Sequence, residues 1–130
     1  PGETEKDFMD TVTLMEEIQF DDAFMYRYNV REGTLAARMA DTVPEEVKLE
    51  RLSHIIDLQQ KISEKKKKKL IGSRVKVLAE GISKKRKGEL IGRMEQDHMV
   101  VFPGEKERTG SFMTVELIDL KGKTFRGKEI

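Results

Sequence analysis

The sequence contains no cysteine, and no apolar run in it approaches the roughly 18 residues of a membrane-spanning helix. Without cysteine, these 130 residues offer no thiol nucleophile, no cysteine-based zinc site and no ligand for an iron–sulfur cluster. Because a secretion signal is also missing, we expect a cytoplasmic protein with no membrane partner. We expect no metal site on histidine either, because His54 and His98 have no second ligand at a metal-binding spacing.

Catalytic motifs are missing as well: the chain has no nucleophile–base arrangement, no phosphate-binding loop and no paired carboxylates. Hydrophobic residues make up 37% of the chain and aromatic residues 6%, which is enough for one modest core or two thin ones. On its residues alone, the chain is not a complete enzyme, and we expect no catalytic residue in it. The opening residues 1–4 (PGET) predict a boundary inside a longer protein.

Charge is distributed unevenly along the chain, although the formal net charge is only +1. Residues 1–60 hold 6 Lys/Arg against 14 Asp/Glu, a net charge of −8, and residues 61–130 hold 19 against 10, a net charge of +9. A basic half that follows an acidic half indicates that the second half meets a polyanion such as nucleic acid.

The first 43 residues predict a helix followed by a strand, which is one step of an α/β barrel. Thr4 with Asp7 three residues later is a helix start. The helical face is predicted from apolar residues at a spacing of three or four, Phe8, Val12, Met15 and Ile18. The aromatic-rich segment Ala23–Val30 predicts a buried strand, and residues 35–39 predict a helical turn. One such step needs neighbouring strands to cover its apolar faces.

A long connector helix is predicted over residues 44–69, because Thr42, Pro44 and Glu45 form a strong helix start. The five lysines at 65–69 either match the negative end of the helix dipole or contact RNA. Residues 70–130 then change to alternating polar and apolar positions. Their five short strand candidates, separated by glycines, predict a small closed β-barrel of the OB type. They are residues 75–79, 90–94, 99–102, 112–120 and 123–126.

Basic residues of this barrel are the candidate RNA-binding site. The set comprises Arg74 and Lys76 on one face of a strand, Arg93 on the next strand, and the loop residues Lys84, Lys85, Arg86 and Lys87. Lysine and arginine in such positions hold phosphates, although a solvated basic loop is the alternative. The barrel has three aromatic residues, Phe102, Phe112 and Phe125, and we expect Phe102 and Phe112 to lie in the core. We therefore expect recognition of RNA backbone and shape rather than of bases.

Four segments resemble the MiaB-type tRNA methylthiotransferase family, in the order that the family has them. They are PGET at residues 1–4, YNVREGTLA at 28–36, VPEEVK at 43–48 and GRMEQDHMVVF at 92–102. The first two are similar to segments after the fifth strand and at the sixth strand of the family's radical-SAM barrel. The third is similar to its connector helix, and the fourth to the signature of its TRAM domain. Each motif alone is weak, but four in register cover nearly the whole chain.

The resemblance implies a carboxy-terminal piece with three parts: a barrel remnant at residues 1–43, a connector helix at 44–69 and an RNA-binding TRAM barrel at 70–130. Full-length members add a 2-methylthio group to N6-isopentenyladenosine beside the tRNA anticodon. They use S-adenosylmethionine and two 4Fe–4S clusters, none of which we expect on this chain. The residues implied at the edge of the S-adenosylmethionine pocket are Gly2, Glu3, Arg31, Gly33 and Thr34. Without the resemblance, an ion pair with Glu32 is the simpler role for Arg31.

The implied partner is the tRNA anticodon stem-loop. Two departures fall in the TRAM signature, where Met94 stands for the usual Thr and Asp97 for the usual Asn. Asp tolerates the same turn, but its charge opposes RNA binding, so we assign binding to the loop 84–87 and to Arg93.

Alternative functions are methylthiolation of threonylcarbamoyl-adenosine in tRNA or of a ribosomal protein, and a non-enzymatic RNA-binding TRAM module. The full-length enzyme is expected to be a monomer. The 130-residue chain is expected to dimerise or swap domains through its exposed barrel surface at Ala23–Val30.

Overall fold

A computed structural model describes residues 1–130, which form two compact units, Pro1–Lys65 and Lys66–Ile130. Helix α1 spans Glu5–Ile18 and helix α2 spans Glu45–Lys68, so the division between the units falls within α2. Short 3-10 turns occur at Ala36–Arg38 and Lys106–Arg108. Neither helix combines the length and the apolar character needed to cross a membrane.

The start of α1 confirms the predicted cap. The Thr4 side chain accepts a hydrogen bond from the Asp7 backbone N–H at 3.2 Å, and the Asp7 carboxylate accepts one from the Thr4 N–H at 2.8 Å. The Asp7 carboxylate also accepts a hydrogen bond from the Thr4 hydroxyl at 2.7 Å, and this bond, together with the one from the Thr4 N–H, lowers the pKa of Asp7. The helix buries Phe8, Val12 and Met15, but Ile18 is exposed because the last turn leaves the covered face.

Helix α2 confirms the long helix predicted at residues 44–69, and its last regular residue lies within the lysine run; its role as a connector stays a prediction. Buried Gln59 donates a hydrogen bond to the Phe20 carbonyl at 2.8 Å, and Ser63 donates one to the Asp21 carbonyl at 2.7 Å. These two bonds fix the chain that leaves α1 against α2. They explain why a polar residue occupies the buried face of α2, since the carbonyls would otherwise lack partners.

The predicted strand at Ala23–Val30 is wrong, because no residue of this segment is in a strand. Its backbone pairs with no neighbouring strand, and Phe24 and Tyr26 are 91% and 82% exposed. A strand needs a partner to pair its backbone N–H and carbonyl groups, and the first unit contains none. The predicted turn at residues 35–39 is confirmed by the 3-10 turn at Ala36–Arg38.

The second unit is a closed five-stranded barrel, which confirms the predicted architecture. Its strands are β1 Arg74–Ile82, β2 Glu89–Met94, β3 Met99–Pro103, β4 Phe112–Lys121 and β5 Thr124–Glu129. The order around the barrel is β1-β2-β3-β5-β4, and β4 pairs with β1 to close it. All pairs are antiparallel except β3 with β5. Closure leaves no free sheet edge.

Alternate residues of these strands fill the barrel. The fully covered side chains include Val77, Leu90, Val100, Phe102, Val115, Leu117 and Phe125. Gly92 and Gly127 also face inward, where a Cβ would lie 2.3 Å from the Leu78 carbonyl oxygen and 2.2 Å from Val115 Cγ1, respectively. These two positions need glycine because neighbouring strands approach too closely for any side chain. Phe102 lies in the core as predicted.

Candidate nucleic-acid interface

The outer face of β1 carries the first two candidate residues. Arg74 and Lys76 both point away from the core, because Val75 and Val77 take the inward positions between and after them. Neither cation has a carboxylate within ion-pair distance, although Arg74 lies opposite Glu116 in the β1–β4 register. Glu116 instead pairs with Lys128 at 3.5 Å. The positive charge of Arg74 and Lys76 is therefore available to an anionic ligand.

Arg93 is placed differently, because two acidic residues already surround it. Its guanidinium donates to the Asp97 carboxylate at 2.7 Å and lies 3.4 Å from the Glu80 carboxylate. The hydrogen bond to Asp97 raises the pKa of Arg93, and the nearby charges of Asp97 and Glu80 add to that shift. Asp97 sits in the β2–β3 hairpin turn with a positive φ of 62°. An RNA phosphate that approaches Arg93 must compete with both carboxylates.

The basic loop Lys84–Lys87 joins β1 to β2 and is exposed throughout. Its base is held by the Ser83 backbone N–H, which donates to the Glu89 carbonyl at 2.8 Å. Arg86 lies 3.9 Å from the Glu89 carboxylate, which also accepts a 2.5 Å hydrogen bond from Arg126. Lys84, Lys85 and Lys87 have no ion-pair partner. The loop thus presents three uncompensated charges.

The structure divides the candidate residues into two groups along β1. Arg74 and Lys76 lie at the start of the strand, and the loop Lys84–Lys87 follows its end, about 25 Å further along an extended chain. Arg93 lies between them, since it is opposite Leu78 in the β1–β2 register. The candidate residues therefore form a strip along one strand and its loop rather than a single pocket.

Phe112, which the sequence placed in the core, lies instead on the outer face of this strip. It is 63% exposed and lies opposite Leu78 in the β1–β4 register. The alternation in β4 explains the error, because Met113, Val115 and Leu117 fill the inward positions. The sequence did contain a signal for this outward position, because polar Thr114 lies two residues later and therefore on the same face of the strand.

The first unit has a cleft of its own. It is lined by Pro1, Glu3, Phe8, Thr11, Tyr26, Arg27, Tyr28, Asp41, Val43, Lys48, Arg51, Leu52 and Ile55. Arg51 donates to the Glu3 carboxylate at 2.8 Å and to the Glu5 carboxylate at 3.1 Å. Lys48 bonds the Asp41 carboxylate, which lowers the pKa of Asp41. The charged groups of the cleft therefore neutralise one another.

Of the residues predicted at the cofactor edge, Glu3 lines this cleft, and the other four lie outside its lining. Arg31, Gly33 and Thr34 form an exposed loop, in which the Thr34 hydroxyl donates to the Arg31 carbonyl at 2.8 Å. The same hydroxyl accepts from the Ala37 N–H of the 3-10 turn at 3.2 Å. The unit does not gather these residues into one pocket, and their role toward a cofactor stays a prediction.

Metal-binding groups are not assembled in either unit, because no three His, Asp or Glu side chains come close enough to hold an ion. The His54 ring instead lies edge-on to Phe8, with 5.5 Å between centroids. With no cysteine in the chain, these residues cannot ligate an iron–sulfur cluster.

The sequence of the second unit matches a known domain family. Residues 68–129 match the TRAM domain family, so the second unit is a TRAM domain.

The chain as a whole is similar to tRNA-2-methylthio-N(6)-dimethylallyladenosine synthases, which confirms the family resemblance of the sequence. It is 52% identical to the protein of Treponema denticola over 128 residues, 97% of this chain and 28% of the relative. Identity to the protein of Porphyromonas gingivalis is 45% over 130 residues, 99% of this chain and 28% of the relative. For Methylacidiphilum infernorum it is 42% over 127 residues, 98% of this chain and 27% of the relative. The chain thus spans little more than a quarter of the length of these relatives.

Proposed function

We propose that this chain is the tRNA-binding part of a cytoplasmic radical-SAM methylthiotransferase. The whole enzyme would add a 2-methylthio group to N6-isopentenyladenosine next to the anticodon, and the TRAM barrel would hold the anticodon stem-loop. Similarity to synthases of that name over at least 97% of the chain supports this substrate. The observation that carries the binding role is the set of basic residues on the barrel that lack carboxylate partners, Arg74, Lys76, Lys84, Lys85 and Lys87.

Catalysis belongs to the rest of the enzyme in this proposal. S-adenosylmethionine and two 4Fe–4S clusters would supply the radical chemistry and sulfur, and the cluster ligands would come from cysteines that this chain does not contain. We therefore assign no chemical step to these residues and expect the chain to be inactive alone. Gly2, Glu3, Arg31, Gly33 and Thr34 would border the cofactor pocket only when other parts of the enzyme complete it.

Binding of the 130-residue chain to an anticodon stem-loop across a salt series tests the proposal. We expect a Kd in roughly the micromolar range that weakens as salt rises, because lysines release counterions from the phosphates. The variant Lys84/Lys85→Ala should bind more weakly and with a flatter salt dependence. Its slope of log K against log salt should fall by about 0.7–0.9 for each phosphate that the variant no longer neutralises.

The matched control is Lys121/Lys123→Ala. It removes the same charge from the β4–β5 hairpin, where both lysines are exposed and have no ion-pair partner. Equal losses of affinity in the two variants would mean that net charge alone governs binding, which contradicts a specific strip. No binding by the unaltered chain at low salt would contradict the assignment of tRNA binding to this domain.

The exposed segment Ala23–Val30 supports a second, smaller proposal about the isolated chain. Phe24, Tyr26 and Val30 leave large apolar surfaces uncovered, and the backbone between them is not paired in a sheet. We propose that the chain dimerises or swaps domains here, whereas the full-length enzyme is a monomer. Sedimentation should detect the dimer, and Phe24→Ser should weaken it. A well-folded monomer at high concentration would contradict this idea.

A further inference from the structure

A row of outward side chains crosses three strands of the TRAM barrel. Phe112 on β4 is opposite Leu78 on β1, and Leu78 is opposite Arg93 on β2. Residues that share a register position and a face lie within side-chain contact of each other. Together with Lys76, Met94 and Glu95, these three side chains line a shallow depression on the barrel surface.

Phe112 is the unusual member of this row. The other two phenylalanines of the barrel, Phe102 and Phe125, are fully buried, whereas Phe112 is 63% exposed. It therefore contributes little to the barrel core. The Lys76 ammonium lies over one face of the ring, 4.4 Å from its centroid, so the other face is the one that a base can stack on.

Charges of both signs surround the depression: Glu95 is an anion in its lining, and Lys76 and the neighbouring Arg74 are two cations. Lys76 and Arg74 lie on the same face of β1 and have no carboxylate partner. An uncharged apolar peptide would use the ring but would leave both cations without an anion. An unpaired nucleotide uses both features, because its base has a flat π-face and its phosphate is an anion.

We propose that Phe112 is a stacking platform for one unpaired RNA base, with Leu78 beneath the edge of that base. Lys76 and Arg74 bind the phosphates on either side of it. The proposal rests on RNA binding by the barrel, and it adds base contact to a surface where the sequence predicted only backbone contact. Stacking of a base on an aromatic side chain contributes enough for roughly a 5- to 100-fold effect on Kd.

The test compares substitutions of Phe112 in the 130-residue chain, with a synthetic anticodon stem-loop as the RNA. Phe112→Ala should raise Kd by about 5- to 100-fold while leaving the salt slope unchanged, because every phosphate keeps its cation. Phe112→Leu, which keeps apolar area but has no π-face, should lose most of the same affinity. Phe112→Tyr should bind like the unaltered chain. Ile118→Ala is the matched control, an apolar residue of β4 that is also exposed.

Because the chain contains no tryptophan, a tryptophan introduced at the platform gives a direct fluorescence readout of stacking. Phe112→Trp introduces a single indole at the platform, and its fluorescence should be quenched by the stem-loop but not by a blunt RNA duplex with no unpaired base. When each unpaired nucleotide of the stem-loop is made abasic in turn, one of these RNAs should bind the unaltered chain as weakly as the intact RNA binds Phe112→Ala.

Unchanged affinity of Phe112→Ala together with no quenching in Phe112→Trp would overturn the platform while leaving RNA binding by the lysines intact. Equal quenching by the duplex would overturn it too, since quenching would then not depend on an unpaired base. No binding of any RNA by the unaltered chain would overturn the proposed function itself. This result differs from loss of the platform alone, because the salt series would then show no binding either.

Discussion

Replacing Asp97 by asparagine should make the TRAM barrel bind RNA more tightly. The Asp97 carboxylate lies 2.7 Å from the Arg93 guanidinium, in the hairpin turn between β2 and β3. A phosphate bound on the other side of that guanidinium would lie about 7 Å from the carboxylate. At this distance two unit charges repel by about 0.6 kcal/mol in water and about 2.4 kcal/mol at an effective dielectric of 20.

Because both side chains of the Arg93–Asp97 pair are exposed, the repulsion lies in the lower part of this energy range. The Asp97 side chain is 80% exposed and the Arg93 side chain 42% exposed, so solvent screens much of the repulsion. A gain of about 1 kcal/mol corresponds to a roughly fivefold lower Kd. The turn should survive the change, because asparagine tolerates the positive φ of 62° at this position as well as aspartate does.

Binding of Asp97→Asn and of the unaltered chain to the same stem-loop across a salt series measures this effect. Asp119→Asn is the control, because it removes an equal charge from the far end of β4. We expect a lower Kd and a steeper salt dependence only for Asp97→Asn, with an unchanged melting temperature. An unchanged or higher Kd would refute the reasoning, since Arg93 would then not meet a phosphate.

Two other predictions concern stability, one for each unit. Gly92→Ala should destabilise the barrel by about 3 kcal/mol in denaturant titration, because the new Cβ would meet the Leu78 carbonyl oxygen, which cannot move away alone. Gly81→Ala, with no atom within 4 Å, should cost little. Thr4→Ala should cost α1 about 1 kcal/mol, measured by helical circular dichroism. Since the folded pKa of Asp7 is lowered, its contribution is present above the ordinary carboxyl pKa and is lost as pH falls through the lowered value. Thr4→Ala removes the side-chain hydrogen bond but keeps the one from the backbone, so it should reduce this acid dependence, and an undiminished dependence would contradict the side-chain cap as a cause.

The elements that the sequence predicted correctly are those set by interactions over a few residues. Thr4 and Asp7 start α1 through bonds between positions three apart. The five strands of the barrel follow from alternation of apolar residues and from glycines in the turns. Exposure of the loop 84–87 likewise follows from its composition, because four consecutive cations are not buried without partners.

Errors arose where the outcome depended on distant parts of the chain. The composition of Ala23–Val30 favours a strand, but a strand forms only where another strand supplies hydrogen bonds, and none does in this unit. An aromatic residue such as Phe112 is usually buried, yet Met113, Val115 and Leu117 take the inward positions of β4 and leave Phe112 on the outer face. A shift of one residue would have exchanged the two faces of the strand.

The sequence by itself determined that an acidic helical half precedes a basic β-barrel half, and it predicted which lysines and arginines would meet RNA. Only the tertiary structure decided which of those charges are available. Pairing of β1 with β2 places Glu80 beside Arg93, and the hairpin turn adds Asp97. The pairing of β1 with β4 leaves Lys76 beside an exposed ring. The physical reason is that composition determines how many charges a face carries, whereas strand register determines which of them lie within a few ångströms of an opposite charge.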